Sequence, residues 1–354
     1  MDMPHSVNST IVRANKDLPD SSAVDSRVVP EALSIPPAEA AWLSRNWRFA
    51  LLRKAMKVLS RLSPSTAVDL FDRTWFTPPR TRPGTEGGRW LARGQPLAVR
   101  LHGQGLRAWS WGEGPTVLLV HGWGGNAGQM HALAGTLLER GLRVVAFDAP
   151  AHGVSGPSRL GKGRVSMIEI ADALRVVAAA AGPLAGLVAH SGGCTATALA
   201  LRDGWTGPDR MAFVAPFALP SMAIEPFGRA IGASDAVTAT FRARIERRFG
   251  RPWTGFDIPP LPRLRHLPPL LLVHDRDDRE VPWFHGQAVA QAWPGARMIA
   301  THGLGHRRIL RDATVMSDVA GFLTHASGTR PRTTPGRARA ELDHAFASSG
   351  IGRD

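Results

Sequence analysis

One serine, Ser191, stands at the junction between a predicted buried strand and a predicted helix. The short apolar run at residues 187–189 predicts the strand, and the helix-favouring run at residues 195–201 predicts the helix. A strand that turns directly into a helix forces the residue at the turn into strained backbone dihedrals, and small neighbours such as Gly192 and Gly193 prevent clashes there. The hydroxyl of such a serine lies at the sheet edge, beside a helix N-terminus that favours negative charge. The same pattern also fits a purely structural turn, so the choice between a catalytic and a structural serine depends on motifs elsewhere in the chain.

Predicted strands and helices alternate from about residue 90 to residue 327. Apolar runs and one Gly-rich hairpin predict eight strands, at residues 96–101, 106–111, 116–120, 143–147, 187–189, 210–214, 270–273 and 297–300. Strands that alternate with helices in this way form a mostly parallel sheet with right-handed crossovers and helices on both faces. The predicted fold class is therefore α/β.

The alternation stops between the sixth and the seventh predicted strand. Residues 221–266 are arginine-rich and helix-favouring and end in several prolines, so they predict a helical cap inserted after the sixth strand. The remaining sequence divides by composition. We expect a disordered N-terminal segment at 1–38, a helical extension with a Pro-rich connector at 39–88, the main domain at 89–327 and a basic flexible tail at 328–354.

The helix predicted at residues 39–63 has apolar residues every three or four positions between Phe49 and Leu62, while Arg53 and Lys57 share the opposite face. This pattern fits a helix that packs its apolar face on the following domain. It also fits a helix that makes a weak contact with an anionic membrane surface. Both interpretations stay open, and the second carries the alternative that the protein is non-catalytic and membrane-peripheral.

Composition excludes several classes of protein. The formal net charge of +14 is carried mainly by arginine, and no zinc-finger, RNP-like or helix-turn-helix signature accompanies it, so we predict no specific nucleic-acid partner. The single cysteine, Cys194, cannot form an internal disulfide, and no Cys/His spacing indicates a zinc site, so no metal or cofactor is expected. The polar N-terminus and the broken apolar stretch at 176–189 indicate neither a signal peptide nor a membrane span, which predicts a cytoplasmic protein.

Five short motifs fall at the carboxyl ends of predicted strands, where function collects in an open parallel sheet. They are His121-Gly122-Trp123-Gly124-Gly125, the stretch from Asp148 to Ser155, the turn around Ser191, Asp278-x-x-Val281-Pro282 and Gly305-His306. In this order and at these positions, the motifs resemble those of α/β-hydrolase fold serine hydrolases of the esterase-like kind, with a cap insertion. The resemblance covers roughly residues 95 to 325, and it implies the α/β-hydrolase fold.

The resemblance also implies a role for each matching residue. Ser191 would be the nucleophile, His306 the base, and Asp278 the acid that orients the base, in the chain order Ser…Asp…His of this fold. The backbone N–H groups of Trp123 and Gly192 would form the oxyanion hole.

Neighbouring residues compete for two of these roles. Asp275 and Asp277 stand close to Asp278, whose spacing before the Val-Pro pair favours it. His302 competes with His306, which follows a glycine and is favoured for that reason.

The implied activity is hydrolysis of a small-molecule carboxylic ester through an acyl-enzyme intermediate. Thioesterase, acyltransferase and haloperoxidase-like activities use the same groups and stay as alternatives. The cap holds apolar side chains that would suit an acyl group or ordinary packing, namely Met222, Phe227, Phe241, Trp253 and Phe256. It also holds arginines that would suit an anionic substrate or a solvated surface, namely Arg229, Arg242, Arg244, Arg247, Arg248 and Arg251. The sequence specifies neither the acyl group, nor the leaving group, nor the oligomeric state.

Overall fold

The apolar runs form one nine-stranded sheet in the computed structural model, which describes residues 10–12, 47–263 and 267–324. The strands are β1 (Thr10–Val12), β2 (Gln95–Leu101), β3 (Gln104–Trp111), β4 (Thr116–Val120), β5 (Arg143–Phe147), β6 (Leu184–His190), β7 (Arg210–Val214), β8 (Leu270–Asp275) and β9 (Arg297–Thr301). Their order across the sheet is β1-β9-β8-β7-β6-β4-β5-β3-β2. Strands β4 to β9 pair with one another in parallel, whereas β1 and the β2–β3 hairpin are antiparallel additions at the edges. The predicted mostly parallel sheet is confirmed.

Helices cover both faces of this sheet, which explains why its central strands are largely apolar. All five residues of β4 are buried, with Leu118 and Val120 on one face and Val117 and Leu119 on the other, because successive side chains of a strand point to opposite faces. The α-helices of the described residues are α1 (Trp47–Leu62), α2 (Pro64–Trp75), α3 (Thr85–Ala92), α4 (His131–Glu139), α5 (Met167–Ala181), α6 (Gly192–Arg202), α7 (Ile224–Ile231), α8 (Asp235–Phe249), α9 (Phe284–Ala292), α10 (Gly305–Arg308) and α11 (Ala313–Thr324). Helices α5 and α6 pack on the first face, and α4 and α11 pack on the second. None of these helices is both long enough and apolar enough to cross a membrane.

The region ahead of β2 contains more helix than the sequence analysis predicted. The helix expected at 39–63 is present as α1, and residues 39–46 lie outside the described residues. The sequence analysis ended that helix before Pro64 and expected a connector. Instead, Pro64 is the first residue of α2, a position that suits proline because the first N–H of a helix has no partner within it.

The two ends of the chain lie largely outside the described residues. Within the segment expected to be disordered, at 1–38, the structure places β1, a strand that the sequence analysis did not predict. It pairs with β9 from Thr10 opposite Ala300 to Val12 opposite Met298. The rest of that segment and the predicted tail at 328–354 are outside the described part of the chain.

The predicted cap is present between β7 and β8, and it packs on the N-terminal helices. It contains α7, α8 and short 3-10 turns, and residues 264–266 lie outside the described residues. Phe71 of α2 stacks on Phe241 of α8 with the ring centroids 4.2 Å apart. Trp75 of α2 meets Phe227 of α7 edge-on, with the centroids 4.9 Å apart. The N-terminal helices and the cap therefore share one apolar contact.

Ion pairs hold the cap arginines to acids of the same chain. The buried carboxylate of Asp72 accepts hydrogen bonds from Arg248 of α8 and from Arg164 in the loop before α5. Of the six cap arginines named in the sequence analysis, four pair in this way: Arg242 with Glu225, Arg244 with Asp69, Arg248 with Asp72 and Arg251 with Asp203. These contacts favour a structural role for the cap arginines over the recognition of an anionic substrate.

Candidate active site

The turn between β6 and α6 holds Ser191 in a strained backbone conformation. Its φ of 52° and ψ of −122° are unusual for a residue with a side chain. The turn is also tightly packed: a Cβ on Gly122 would stand 2.9 Å from the Cβ of Ser191, and one on Gly193 would stand 2.7 Å from the carbonyl oxygen of Val120. Such crowding explains why small residues surround the serine.

His306 and Asp278 are joined by a direct hydrogen bond. His306 lies in α10, just after β9, and its Nδ1 donates to Oδ2 of Asp278 at 2.7 Å. Oδ1 of Asp278 accepts from the backbone N–H groups of Glu280 and Val281, each at 2.9 Å. Both side chains are buried. A neutral imidazole that carries its proton on Nδ1 leaves Nε2 as an acceptor.

The surroundings of Asp278 keep it ionised. Burial by itself would raise the pKa of this carboxyl group, but the contacts of the carboxylate with the imidazoles of His274 and His306 outweigh it and hold the pKa well below its usual range. Nε2 of His274 lies 3.4 Å from Oδ2 of Asp278 and donates to the carbonyl oxygen of Val281 at 2.9 Å. The sequence analysis did not single out His274, which carries no motif signal of its own.

The competing acids and the competing histidine occupy different places. Asp275 is buried, and its Oδ2 accepts from Thr301 Oγ1 at 2.7 Å and from the N–H of Leu304 at 3.0 Å. It thereby secures the segment that leads from β9 to His306. Asp277 and His302 face each other with Oδ2 and Nδ1 3.7 Å apart, and each side chain is 62% exposed. Among the three aspartates, the structure brings Asp278 to His306.

The two backbone N–H groups expected to bind an oxyanion lie next to each other. The amide nitrogen of Trp123 is 3.3 Å from the point where a Cβ on Gly192 would stand. Gly192 is the first residue of α6, so its N–H has no acceptor within the helix. The next two N–H groups of the 121–125 turn already have acceptors within the protein. Gly124 N donates to Nε2 of His152, and Gly125 N donates to the carbonyl oxygen of Gly122.

Buried neutral histidines brace these turns. Nδ1 of His121 donates to the carbonyl oxygen of Gly122 at 2.8 Å, while its Nε2 accepts from the N–H of Ala149 at 3.0 Å. Nε2 of His190 donates to the carbonyl oxygen of His306 at 2.9 Å, which links the serine turn to the histidine loop. Burial lowers the pKa of His121 to about 4 and that of His190 to about 3, so both rings stay uncharged at neutral pH.

A cavity of about 790 Å³ connects these groups with the cap and the N-terminal helices. Ser191, Gly192, Trp123 and His306 line it. Much of its wall is apolar and is contributed by α1, α2 and the cap, including Phe49, Trp75, Phe227, Ile245, Trp253 and Phe256. Phe241, which the sequence analysis included among acyl-pocket candidates, is instead stacked on Phe71. The cavity can therefore hold an apolar group beside the serine hydroxyl.

No group of three or more His, Cys, Asp or Glu side chains is arranged to hold a metal ion in the described part of the chain. The single cysteine, Cys194, belongs to α6 and is fully buried in the core.

Comparisons with known proteins give the family and the fold of the chain. A sequence profile described as the Alpha/beta hydrolase family matches residues 117–319, which is more than half of the chain. No curated protein sequence matches the chain. A proposed lipase from Acinetobacter baumannii AYE has a similar structure, with 15% identity, a TM-score of 0.52, and coverage of 67% of this chain and 93% of the other. An esterase from Rhodococcus sp. is also similar, with 19% identity, a TM-score of 0.49, and coverage of 66% and 99%.

The buried histidines predict a steep loss of stability in mild acid. Burial lowers the pKa of His121 to about 4 and those of His152, His190 and His285 to about 3. The unfolded chain binds these protons near pH 6.5 and the folded chain only at lower pH, so stability is full above about 6.5 and falls as the pH drops towards about 4. Each histidine should contribute up to about 1.4 kcal/mol per pH unit to the slope, measured by urea unfolding across that range.

A single substitution isolates one of these contributions. Nδ1 of His285 accepts from the N–H groups of Ala218 and Leu219 at 3.0 and 3.1 Å, and the side-chain oxygen of His285→Asn can accept the same bonds. This variant should show a slope smaller by about 1.4 kcal/mol per pH unit. A free energy of unfolding that stays constant or rises as the pH is lowered through this range would contradict the interpretation.

Proposed function

The chain belongs to the alpha/beta hydrolase family, and we propose that it is a serine hydrolase that cleaves carboxylic esters of small molecules. One observation carries the proposal. His306 is hydrogen-bonded to the buried carboxylate of Asp278 and lines the same cavity as Ser191. A serine, a histidine whose proton lies on Nδ1, and two adjacent backbone N–H groups are the components that acyl transfer requires.

In the proposed reaction, Oγ of Ser191 attacks the ester carbonyl carbon while Nε2 of His306 accepts the hydroxyl proton. The negative charge that develops on the carbonyl oxygen is stabilised by the N–H groups of Trp123 and Gly192, each worth about 10²–10³-fold in rate. The tetrahedral intermediate collapses as the imidazolium gives its proton to the leaving alcohol. Water then attacks the acyl carbon while Nε2 of His306 accepts its proton, the bond from the acyl carbon to Oγ breaks, and the carboxylic acid leaves as the imidazolium returns the proton to Oγ of Ser191.

Asp278 supports both halves of this cycle. Its carboxylate fixes the tautomer of His306 and stabilises the imidazolium that forms during each proton transfer. The depressed pKa of Asp278 keeps it anionic over the pH range in which His306 has to act as a base.

The apolar wall of the cavity favours a substrate with an apolar acyl group. Aromatic and aliphatic side chains from the cap and from α1 and α2 surround the space beside Ser191. The ion-paired cap arginines weigh against an acyl group with a large anionic carrier.

A cytoplasmic location remains part of the proposal.

Replacement of the proposed nucleophile should abolish the activity. Ser191→Ala should lower kcat/KM for a short p-nitrophenyl ester by about 10⁴–10⁶-fold and prevent labelling by a fluorophosphonate probe, because no other hydroxyl replaces the nucleophile. Ser166→Ala is the matched control, since Ser166 lines the same cavity but caps α5 by accepting from the N–H of Glu169. That variant should still be labelled while losing about 1 kcal/mol of stability. Equal ester turnover by wild type and Ser191→Ala would refute the proposal.

The three neighbouring aspartates should differ sharply in their effect on rate. Asp278→Asn removes the charge that stabilises the imidazolium and favours the wrong tautomer of His306, so kcat should fall by about 10³–10⁴-fold. Asp277→Asn should leave kcat within about twofold, because that side chain is largely exposed and pairs with His302. Steady-state kinetics of the two variants, with folding checked by circular dichroism, test the assignment. Equal losses in both would show that the acid is assigned wrongly.

Filling the apolar wall should shorten the preferred acyl chain. Ala230 of α7 lines the cavity, so Ala230→Phe adds a ring inside it, while Ala239→Phe adds the same ring to an exposed position of α8. The first variant should lose about tenfold or more in kcat/KM for long-chain esters, since each methylene left outside the pocket forfeits about 0.8 kcal/mol. It should keep turnover of acetyl esters, and the second variant should match the wild type on both. An unchanged chain-length profile for Ala230→Phe would place the acyl group elsewhere.

A further inference from the structure

Helix α1 has two apolar faces, of which one is covered. Phe49, Leu52 and Leu59 are partly buried against the core, Met56 is fully buried within it, and Phe49 also lines the cavity. This inner face attaches the helix to the rest of the protein and makes it part of the cavity wall.

The outer face of α1 exposes a row of large apolar side chains. Trp47, Leu51, Val58 and Leu62 are 69%, 59%, 46% and 80% exposed, respectively. Their spacings of four, seven and four residues place them along one side of the helix, opposite Met56. Only one other large hydrophobic side chain is comparably exposed in the described residues, Val154. An exposed row of large apolar side chains is typical of a surface that binds another molecule or a membrane.

The charge of α1 indicates what that surface binds. The helix contains five basic residues and no acidic residue: Arg48, Arg53, Lys54, Lys57 and Arg61. At 100° per residue, Lys54 and Arg61 lie directly beside the apolar row. A second copy of the same helix would bring like charges together, which opposes self-association. A lipid surface with negatively charged headgroups satisfies both the apolar row and the basic border.

We propose that the outer face of α1, formed by Trp47, Leu51, Val58 and Leu62 with Lys54 and Arg61 beside them, binds the surface of a bilayer that contains anionic lipid. The apolar side chains enter the boundary between headgroups and acyl chains, and the basic side chains contact the headgroups. Because Phe49 on the inner face lines the cavity, this docking places a wall of the cavity beside the lipid. The docking does not depend on the proposed hydrolase activity.

Co-sedimentation with vesicles tests the docking on the full-length chain. The protein should bind vesicles of phosphatidylcholine mixed with phosphatidylglycerol more tightly than vesicles of phosphatidylcholine alone, and added salt should weaken the binding. Lys54→Gln combined with Arg61→Gln should weaken binding to the anionic vesicles roughly 30-fold, which corresponds to the attraction of two basic side chains near such a surface. Trp47→Ser combined with Leu51→Ser should weaken it about tenfold or more.

Matched controls separate this face from general charge and hydrophobicity. Lys162 and Val154 are exposed elsewhere on the protein, so Lys162→Gln combined with Val154→Ser should bind as the wild type does. Thermal unfolding of every variant checks the fold without reference to catalysis, so a failure of the proposed ester hydrolysis leaves this test intact.

Three outcomes would overturn the proposal. The first is equal binding to charged and uncharged vesicles, or no binding to either. The second is unchanged binding by both α1 double variants. The third is a dimer in light scattering that Leu51→Glu converts to a monomer, which would show that the face binds a second copy of the chain.

Discussion

The buried carboxylate of Asp278 is the polar centre on which the arrangement of the site depends. A buried carboxylate is stable as an anion only where hydrogen bonds replace the water it has lost. Its oxygens accept from Nδ1 of His306 and from the N–H groups of Glu280 and Val281, and His274 lies 3.4 Å away. One conformation of the loop after β8 and one orientation of the imidazole satisfy these contacts together. The contacts that fold this loop are therefore the same contacts that orient His306.

The cavity depends on two segments that lie outside the parallel sheet. The sheet positions Ser191 and His306, but α1 and α2 supply Phe49 and Trp75 to the wall, and the cap supplies Trp253 among others. Enclosure by apolar side chains lowers the local dielectric constant, which strengthens every charge interaction near the serine. The aromatic contacts and the Asp72 ion pairs join these segments, so in the proposed reaction they would affect the chemistry as well as the fold.

Much of this arrangement could be predicted from the sequence, because buried parallel strands are continuous apolar runs and the motifs follow them at fixed places. The α/β-hydrolase fold and the positions of strands β2 to β9 are confirmed. Strand β1 was not predictable from three residues, and Pro64 indicated the end of one helix although it also begins the next. Phe241 and Trp253 look alike in the cap sequence, yet the first stacks on Phe71 and the second lines the cavity. That difference is decided by α2, which lies far away in sequence.

The role of the polar residue Asp275 was also not predictable from its local sequence. Its partners Thr301 and Leu304 come more than twenty positions later in the chain. The net charge of +14 is likewise a sum over the sequence and does not tell which charges the fold pairs. Cap arginines such as Arg248 are neutralised by acids of the same chain, so they contribute to the attachment of the cap and present little field to a partner. In helix α1, Lys54 and Arg61 lie beside the exposed apolar row instead, and the helix itself contains no acidic residue. A positive charge thus stabilises the fold where the fold brings an acid beside it, and it remains available to a surface where no acid lies near. The total charge does not distinguish these two cases.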